Sequence, residues 1–297
     1  MSPGTDCSVS VILPCKNEAE TLRGLLPSIR ASLPEAQILV VDDGSSDDSV
    51  AVCRQHRVEV VSHPYSMGNG AAIKSGARCS TGSILVFMDA DGQHDPAALP
   101  GLIAPLAQGY DMVVGARATK FQASLFRRIA NGIYNRFASM MTGYPIKDLT
   151  SGFRAVRRNH FLKFLYLLPN GFSYPTTITM AFFRSALPVG YVPIETSPRK
   201  GKSHIRPLRD GLRFFVIILK IGALFSPMRL FVPISGLFFV TAIGYYAYTY
   251  LAYHAFSNMS ALLFICALFT FLIGLLAEQV SSLHYKGIDD YPEDARR

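Results

Sequence analysis

Short apolar runs alternate with amphipathic stretches over about the first 115 residues of the chain. The apolar runs that predict buried strands occupy residues 9–14, 38–41, 58–62 and 85–88. Helices are predicted after them, from Asn17 as an N-cap to Ser32, from Ser46, and over 70–78. Strand followed by helix, repeated in this way, predicts an α/β domain with a parallel sheet and helices on both faces.

The C-terminal part of the chain has a different pattern. Between Arg229 and Glu278 it carries no Asp, Glu, Lys or Arg. The interval is long enough for two membrane spans of about 20 residues each, and a short polar turn at 254–260 divides it. We therefore expect spans near 231–251 and 260–280, within a hairpin over 229–286 that a tail over 287–297 follows.

The charges beside these spans predict their orientation. Lys220, Arg229 and Lys286 flank the hairpin, whereas its central turn has no Lys or Arg. The positive-inside rule then puts both ends of the hairpin, and with them the α/β domain and both termini, in the cytoplasm. The first six residues lack the basic and apolar regions of a signal peptide, which agrees with this orientation.

Cysteine content and net charge restrict the function classes. The five cysteines form no CxxC pair, which fits a reducing compartment and argues against zinc. The net charge of +8 suits a protein that works against anionic lipid, although nucleic acid would be served as well.

Polar side chains follow three successive strands of the predicted sheet: at 14–18, at Asp42 and Asp43, and at Asp89 and Asp91. The carboxyl ends of parallel strands lie along one edge, so we expect these groups to converge on one crevice. Carboxylates so close to a buried strand are costly unless they are paired. With the amide of Gln93 they favour a hard divalent cation that holds a diphosphate. An Asp-rich turn without a ligand would show the same Asp-Ala-Asp pattern.

A second nucleotide motif competes for this crevice. The stretch from Gly68 to Gly70 is similar to the dinucleotide-binding fingerprint, but Ile73 takes the place of its third glycine. The turn also follows the third strand rather than the first. The Walker pattern is absent from the sequence, and a nicotinamide-dependent enzyme is disfavoured.

Five motifs in order resemble those of the family 2 glycosyltransferases of the GT-A fold, and most of all the branch of dolichyl-phosphate mannosyltransferases and polyprenyl-phosphate glucosyltransferases. The motifs are Leu13-Pro14 through Glu18, Val41-Asp-Asp-Gly-Ser45, Gly68-Asn-Gly-Ala-Ala72, Asp89-Ala-Asp-Gly-Gln93 and Asp148-Leu-Thr-Ser-Gly-Phe-Arg154. The resemblance covers nearly the whole chain. It implies a doubly wound mixed sheet, mostly parallel, with helices on both faces.

The resemblance also implies roles for single residues. Nucleotide-sugar contacts fall on Pro14, Lys16, Glu18, Asp42, Asp43, Asp89, Ala90, Asp91 and Arg117. Asp89, Asp91 and Gln93 would hold Mg²⁺ or Mn²⁺ on the diphosphate, and Arg117 would reach the phosphates. Asp148 is left with two roles, as a base or as a residue that orients an arginine.

The stretch from Leu149 to Ile194, here called the acceptor half, has a composition that indicates the chemistry of the acceptor. From Leu149 to Ile194 the chain has no Asp or Glu. The same stretch carries Arg154, Arg157, Arg158, Lys163 and Arg184. A phosphomonoester acceptor suits this arrangement, because with a second pKa of about 6 it is largely dianionic at neutral pH and needs arginines rather than a base. A solvated basic face is the alternative.

The family also places the acceptor phosphate on two further stretches. The first is an Arg-Ser pair four residues apart, which corresponds here to Arg127 and, in place of Ser, Asn131. The second is an R-x-x-G-x-S-K stretch, which corresponds here to 199–204, with Arg199 one position closer to the glycine than in the family. The candidate acceptor-phosphate residues are Arg117, Arg127, Asn131, Ser151, Arg199 and Lys202, with Arg206 as a substitute for Arg199.

A helix over 206–228 is predicted to lie on the membrane surface. At about 100° per residue its basic residues fall on one stripe and the apolar residues of 214–219 fall away from it. The stripe consists of Arg206, Arg209, Arg213 and Lys220. Such a helix would lie on the cytoplasmic leaflet, and a core helix with a solvated edge is the alternative.

These observations predict a catalytic domain over 1–205 and a metal-dependent, inverting enzyme. It would move a hexosyl group from a UDP- or GDP-hexose to polyprenyl phosphate, undecaprenyl or dolichyl, at the cytoplasmic membrane face. A processive polysaccharide synthase is disfavoured because the chain has no Trp for the Q-x-x-R-W motif and too few spans for a channel. A catalytically silent membrane scaffold is disfavoured by the intact Asp89, Asp91 and Gln93. Two-span relatives form oligomers, tetramers among them, and the resemblance implies a homo-oligomer here.

Overall fold

The computed structural model describes residues 8–117, 125–171, 174–195, 220, 222–255 and 257–289, with the backbone alone over 125–131 and 284–289. These residues form two compact units. The first contains the sheet and its helices. The second contains the two C-terminal helices together with residues 140–143.

Seven strands form one mixed sheet, which confirms the prediction of a mostly parallel α/β architecture. They are β1 Val9–Cys15, β2 Gln37–Asp42, β3 Glu59–Ser62, β4 Ile84–Phe87, β5 Met112–Arg117, β6 Arg154–Arg157 and β7 Val189–Ile194. Their order across the sheet is β3-β2-β1-β4-β6-β5-β7. β6 runs antiparallel to its neighbours β4 and β5, and the other described pairs are parallel.

Seven α-helices precede the two C-terminal helices in the residues that the structure describes. They are α1 Ala19–Ser32, α2 Ser49–Gln55, α3 Asn69–Cys79, α4 Leu99–Ile103, α5 Leu125–Thr142, α6 Arg158–Lys163 and α7 Tyr174–Arg184. α1 buries Leu22, Leu26 and Ile29, whose spacing of four and three residues keeps them on one helix face. In β1, residues 11–13 are fully buried, as expected of a strand covered on both sides.

The predicted N-cap of α1 is wrong. Asn17 has a left-handed backbone with φ of 57°, and its Oδ1 accepts a hydrogen bond from the Ser46 amide at 2.7 Å. The first helical amide, that of Ala19, donates to Asp47 Oδ2 at 3.0 Å. The acidic loop after β2 therefore caps the helix that follows β1, a contact between segments distant in sequence.

The glycines at 68 and 70, which resemble part of a nucleotide fingerprint, allow a close backbone contact. A Cβ on Gly70 would lie 2.0 Å from the Pro169 carbonyl oxygen, and one on Gly68 would lie 2.5 Å from that of Asn170. The Ala71 amide donates to the Asn170 carbonyl at 3.1 Å. These glycines therefore seat a loop from the other half of the domain on the start of α3.

The loop after β3 is held by Asp43, which is buried. Its carboxylate accepts hydrogen bonds from the amides of Met67 and Gly68, at 2.7 and 2.9 Å, and from the Ser66 hydroxyl at 2.8 Å. His63 Nδ1 donates a further bond at 2.8 Å. Burial opposes ionisation, but these bonds outweigh it and lower the pKa of Asp43 to about 2.

The two predicted spans are both helical, α8 over Pro227–Tyr253 and α9 over Asn258–Asp289. By length and composition each could cross a membrane, with mean hydropathies of 1.7 and 2.6. Ser235 Oγ donates to the Ala267 carbonyl at 2.8 Å, and the rings of Phe239 and Phe264 lie 5.7 Å apart, so the helices pack on each other. Apolar side chains such as Leu251 remain largely exposed, which suits a lipid environment.

Gly76→Ala should destabilise the first unit by about 2 kcal/mol, because α3 meets the sheet there without room for a methyl group. A Cβ on Gly76 would lie 2.4 Å from Ile12 Cγ2. The matched control is Gly24→Ala, which adds the same group on the exposed side of α1, where no atom lies within 4 Å. It should stabilise by up to about 1 kcal/mol. Thermal unfolding followed by circular dichroism measures both, and equal melting temperatures would contradict this packing.

Asp43→Asn should destabilise at neutral pH by about 2 kcal/mol, which corresponds to a pKa lowered from 3.8 to about 2. Because the folded state has the lower pKa, this contribution is complete above the unfolded pKa and is lost as the pH falls through the folded one. The stability difference between wild type and variant should therefore be constant above about pH 5 and shrink as the pH falls from there towards about pH 1. Denaturant titrations across this range measure it, and a constant difference would refute the assigned bonds.

Candidate functional site

The carboxyl ends of β2, β1 and β4 lie side by side, as the sequence predicts. β1 is the middle strand, with Cys15 beside Asp42 and Ile12 beside Phe87 in the register. The polar residues that follow these strands therefore share one edge of the sheet, where open α/β sheets bind their ligands.

The predicted nucleoside contacts at the end of β1 stand at this edge. Pro14 is half-buried within the strand and Lys16 is exposed just after it. Glu18 is half-buried, and its Oε2 accepts a hydrogen bond from the Thr21 hydroxyl at 3.2 Å. The three side chains thus follow one another from the strand into the first turn of α1.

The two acidic residues at the end of β2 are used differently. Asp42 is buried, and its Oδ1 accepts a hydrogen bond from the Ser45 amide at 3.0 Å. Asp43 faces the loop after β3 and accepts hydrogen bonds from four donors there. Of the pair, Asp42 is therefore the better candidate for a nucleoside contact, and Asp43 shapes the loop beside it.

Asp89 and Asp91 stand in the turn directly after β4, and both are half-buried. Ala90 between them is buried, and Asp91 Oδ1 accepts a hydrogen bond from the Gln93 amide at 3.2 Å. The two carboxylates and the half-buried Gln93 side chain supply hard oxygen donors, the kind that Mg²⁺ and Mn²⁺ prefer. In the part of the chain that the structure describes, no three His, Cys, Asp or Glu side chains cluster as metal ligands.

The segment before β6 faces Asp89. Phe87 pairs with Arg154 in the antiparallel register, and continuing this register by two residues sets Gly152 opposite Asp89. A Cβ on Gly152 would lie 2.8 Å from Asp89 Oδ2. The sequence patterns did not reveal this neighbour, because the contact depends on the register of a strand that crosses from the other half of the domain.

Arg117, at the end of β5, is fixed by Asp148. Its Nε and Nη2 donate to the two carboxylate oxygens at 2.8 and 3.0 Å. Asp148 also accepts hydrogen bonds from the amides of Thr150 and Ser151, at 3.0 and 3.1 Å. Burial opposes ionisation of Asp148, but the bonds and charge of Arg117 outweigh it and lower the pKa of this carboxyl. In this structure Asp148 therefore orients an arginine, one of the two roles that the sequence left open.

His94 is a residue of this edge that the sequence did not reveal. It is buried, and its ring stacks on Phe153 with the centroids 4.8 Å apart. Burial lowers its pKa to about 4, although the charge of Asp91 opposes the shift. The ring is therefore neutral at physiological pH, and its buried Nδ1 has no hydrogen-bond partner among the residues that the structure describes.

Arg154, one of the cations that the sequence carries from Leu149 to Ile194, is buried and not exposed to an acceptor. It is 0% exposed, and its Nη1 donates to the Pro175 carbonyl at 3.0 Å and the Thr179 hydroxyl at 3.1 Å. Its Nη2 donates to the Ser151 carbonyl, and its guanidinium lies 5.8 Å from the centre of the Tyr174 ring. Arg154 is a buried part of the fold behind the site.

Of two other residues on the acceptor side, Arg157 is half-buried and Ser151 is buried. Arg157 donates from Nη2 to the Leu106 carbonyl at 2.8 Å, and its Nε lies 3.3 Å from Asp111 Oδ1. Ser151 is 1% exposed, and within the described part of the chain its buried Oγ has no hydrogen-bond partner. A phosphate could reach Ser151 only if the segment opened.

The remaining acceptor-phosphate residues lie outside the described side chains. The backbone of Arg127 and Asn131 belongs to α5, but their side chains are not among those described. Arg199, Lys202 and residues 206–219 and 221 of the predicted interfacial helix also fall outside. These assignments stay predictions.

Two relatives match different shares of the chain, one nearly the whole chain and the other about half of it. Glycosyltransferase AglJ of Haloferax volcanii is 28% identical over 297 residues, a match that covers 94% of this chain and 96% of that protein. Undecaprenyl-phosphate 4-deoxy-4-formamido-L-arabinose transferase of Photorhabdus laumondii is 35% identical over 161 residues, or 51% of this chain. The chain matches about half of that second relative, 49% of its length.

Solved structures share the fold. Glucosyl-3-phosphoglycerate synthase from Mycobacterium tuberculosis, in complex with Mn²⁺, UDP-glucose and phosphoglyceric acid, superposes with a TM-score of 0.60 at 21% identity. The superposition covers 73% of this chain and 80% of that one. The first unit therefore has the GT-A-like architecture that the sequence motifs implied.

Two family matches divide the chain in the same way as the fold. The GtrB C-terminal hairpin family matches residues 226–283, which hold α8 and most of α9. Glycosyl transferase family 2 matches residues 10–165, more than half of the chain, including the strand ends that carry Asp42, Asp89 and Asp91. The chain belongs to glycosyl transferase family 2.

Proposed function

We propose that this glycosyltransferase moves a hexosyl group from a nucleotide-diphosphate sugar, UDP- or GDP-linked, to polyprenyl phosphate at the cytoplasmic face of a membrane. The observation that carries the proposal is the pair Asp89 and Asp91 at the end of β4, in one unit with an arginine that Asp148 holds in place. The acceptor class is supported by the relative whose name includes undecaprenyl phosphate.

The donor set at the end of β4 fits Mg²⁺ or Mn²⁺. Asp89, Asp91 and Gln93 would hold the cation, which when bound would neutralise charge on the departing diphosphate. The Mn²⁺ in the mycobacterial synthase complex supports a divalent ion. Arg117, whose charge interacts with that of Asp89, would bind phosphate oxygens from the side of β5.

The absence of a base in the acceptor half supports an ionised acceptor. Asp148 is a poor base, because its oxygens are occupied by Arg117 and by two amides and its pKa is lowered. The sequence has no other Asp or Glu from Leu149 to Ile194. A phosphomonoester, with a second pKa of about 6, is already dianionic at neutral pH. Its oxygen attacks the anomeric carbon as the bond from that carbon to the diphosphate breaks, so one displacement inverts the configuration.

The C-terminal hairpin supports a lipid-linked acceptor. α8 and α9 are long and apolar enough to cross a membrane, and many of their apolar side chains are exposed. A hairpin of this kind would anchor the enzyme in the membrane that contains its lipid acceptor. The flanking Lys220, Arg229 and Lys286 support a catalytic unit on the cytoplasmic side. We also propose that the protein forms a homo-oligomer.

Purified protein given radiolabelled UDP- and GDP-hexoses and polyprenyl phosphate should form a lipid-linked sugar that EDTA prevents and Mn²⁺ or Mg²⁺ restores. Asp91→Ala should lower this turnover about a hundredfold or more, because a ligand of the ion on the leaving group is lost. The matched control is Asp95→Ala, an exposed aspartate four residues on that only accepts a hydrogen bond from the Ala97 amide. Full activity of Asp91→Ala, or metal-independent turnover by the wild type, would refute the metal role.

Arg117→Lys and Asp148→Asn should each lower kcat/KM about tenfold to a hundredfold, because either change breaks the bidentate pair. Since Asp148 acts through Arg117, the losses should not add in the double variant. The pH dependence of kcat should also keep its shape in Asp148→Asn. Steady-state kinetics of the four proteins over pH measure this, and additive losses with a missing pH limb would make Asp148 the base instead.

A further inference from the structure

We infer that Gly152 is a positioning residue for the Asp89 carboxylate: its backbone is the surface against which the carboxylate rests, and Tyr174 and Arg154 hold that surface in place. The inference rests on the proposed function, in which Asp89 holds a cation on the donor diphosphate. It gives a role in the site to a glycine, a buried tyrosine and a buried arginine that do not themselves contact substrate.

The segment over 151–153 is held by side-chain and backbone donors from three different elements. The Ser151 carbonyl accepts from Arg154 Nη2 of β6, the Gly152 carbonyl from the Tyr174 hydroxyl of α7 at 3.3 Å, and the Phe153 carbonyl from the Gly115 amide of β5 at 2.9 Å. Three successive carbonyl oxygens are thus fixed. A shift of the segment would leave buried acceptors or donors without partners, which is costly.

The same two buried side chains also contact the strand that carries Asp89. Tyr174 is 1% exposed, and its ring lies 6.3 Å from that of Phe87 at the end of β4. Arg154 pairs with Phe87 in the register between β6 and β4, and its charge interacts with that of Asp89. Tyr174 and Arg154 therefore fix both sides of the contact between Asp89 and Gly152.

An alanine at position 152 would move the carboxylate rather than the fold. Its Cβ would lie 2.8 Å from Asp89 Oδ2 and 3.4 Å from Cγ and Oδ1, and these are the three nearest atoms. Gly152 is not among the glycines with positive φ, so its backbone accepts alanine. The end of a side chain rotates more easily than a held backbone moves, and the displaced group is the proposed metal ligand.

The test is a titration of the full-length protein with Mn²⁺, followed by electron paramagnetic resonance, in the presence of UDP and, separately, of GDP. Gly152→Ala should raise the apparent Kd for Mn²⁺ about tenfold, and Tyr174→Phe, which removes only the bond to the Gly152 carbonyl, about threefold. Nucleotide binding without metal should not change. The matched control is Gly101→Ala, at an exposed glycine with no atom within 4 Å of its added Cβ, which should bind Mn²⁺ like the wild type.

Asp89→Asn distinguishes a failure of this inference from a failure of the proposed function. If Asp89→Asn binds Mn²⁺ and nucleotide like the wild type, the proposed metal site is wrong and the inference falls with it. If Asp89→Asn loses Mn²⁺ binding but Gly152→Ala behaves like Gly101→Ala, only the inference is overturned. A loss in Gly152→Ala that extends equally to metal-free nucleotide binding, together with a lowered melting temperature, would indicate general destabilisation and would also overturn it.

Discussion

A carboxylate at the end of a buried strand is tolerated only where hydrogen bonds or positive charge replace the water it has lost, and this requirement shapes the catalytic edge of the sheet. Asp43 meets it with donors of the loop after β3, and Asp148 meets it with Arg117 and two amides. Both are thereby fixed parts of the scaffold. Asp89 lies against the backbone of Gly152, and its charge interacts with that of Arg117 at the end of β5 and with that of the buried Arg154.

The antiparallel strand β6 brings these groups together. It lies between β4 and β5, so the segment that precedes it reaches the edge where β4 and β5 end. Asp148 then stands beside Arg117, and Gly152 beside Asp89. If β6 instead ran parallel to β4 and β5, its first residue and the segment before it would lie at the opposite edge of the sheet. The direction of β6 therefore brings the segment over 148–153 to the edge that carries Asp89 and Arg117.

Local patterns in the sequence predicted the first four strands, the helices after them and the two apolar helices at the C-terminus, because each has the periodicity or length of its element. They also predicted that the acidic strand ends converge. They failed where the answer depended on distant contacts. Asn17 is a residue type that often caps helices, but its side chain accepts a hydrogen bond from the loop after β2. Arg154 has the positive charge that a phosphate ligand needs, but it is buried. Gly70 and Gly152 likewise lie against segments that are distant in the sequence, which leave no space for a Cβ.

The commitment of Asp148 to Arg117 has a consequence for acceptor choice. A hydroxyl acceptor must lose its proton during transfer, and in the acceptor half from Leu149 to Ile194 the sequence offers no carboxylate to take it. A phosphomonoester needs no such group and gains from nearby cations. The site would therefore separate the two kinds of acceptor by their ionisation, before any difference in their shape is felt. Selection by ionisation does not require the site to recognise the long hydrocarbon chain of the lipid, because only the phosphate headgroup is distinguished.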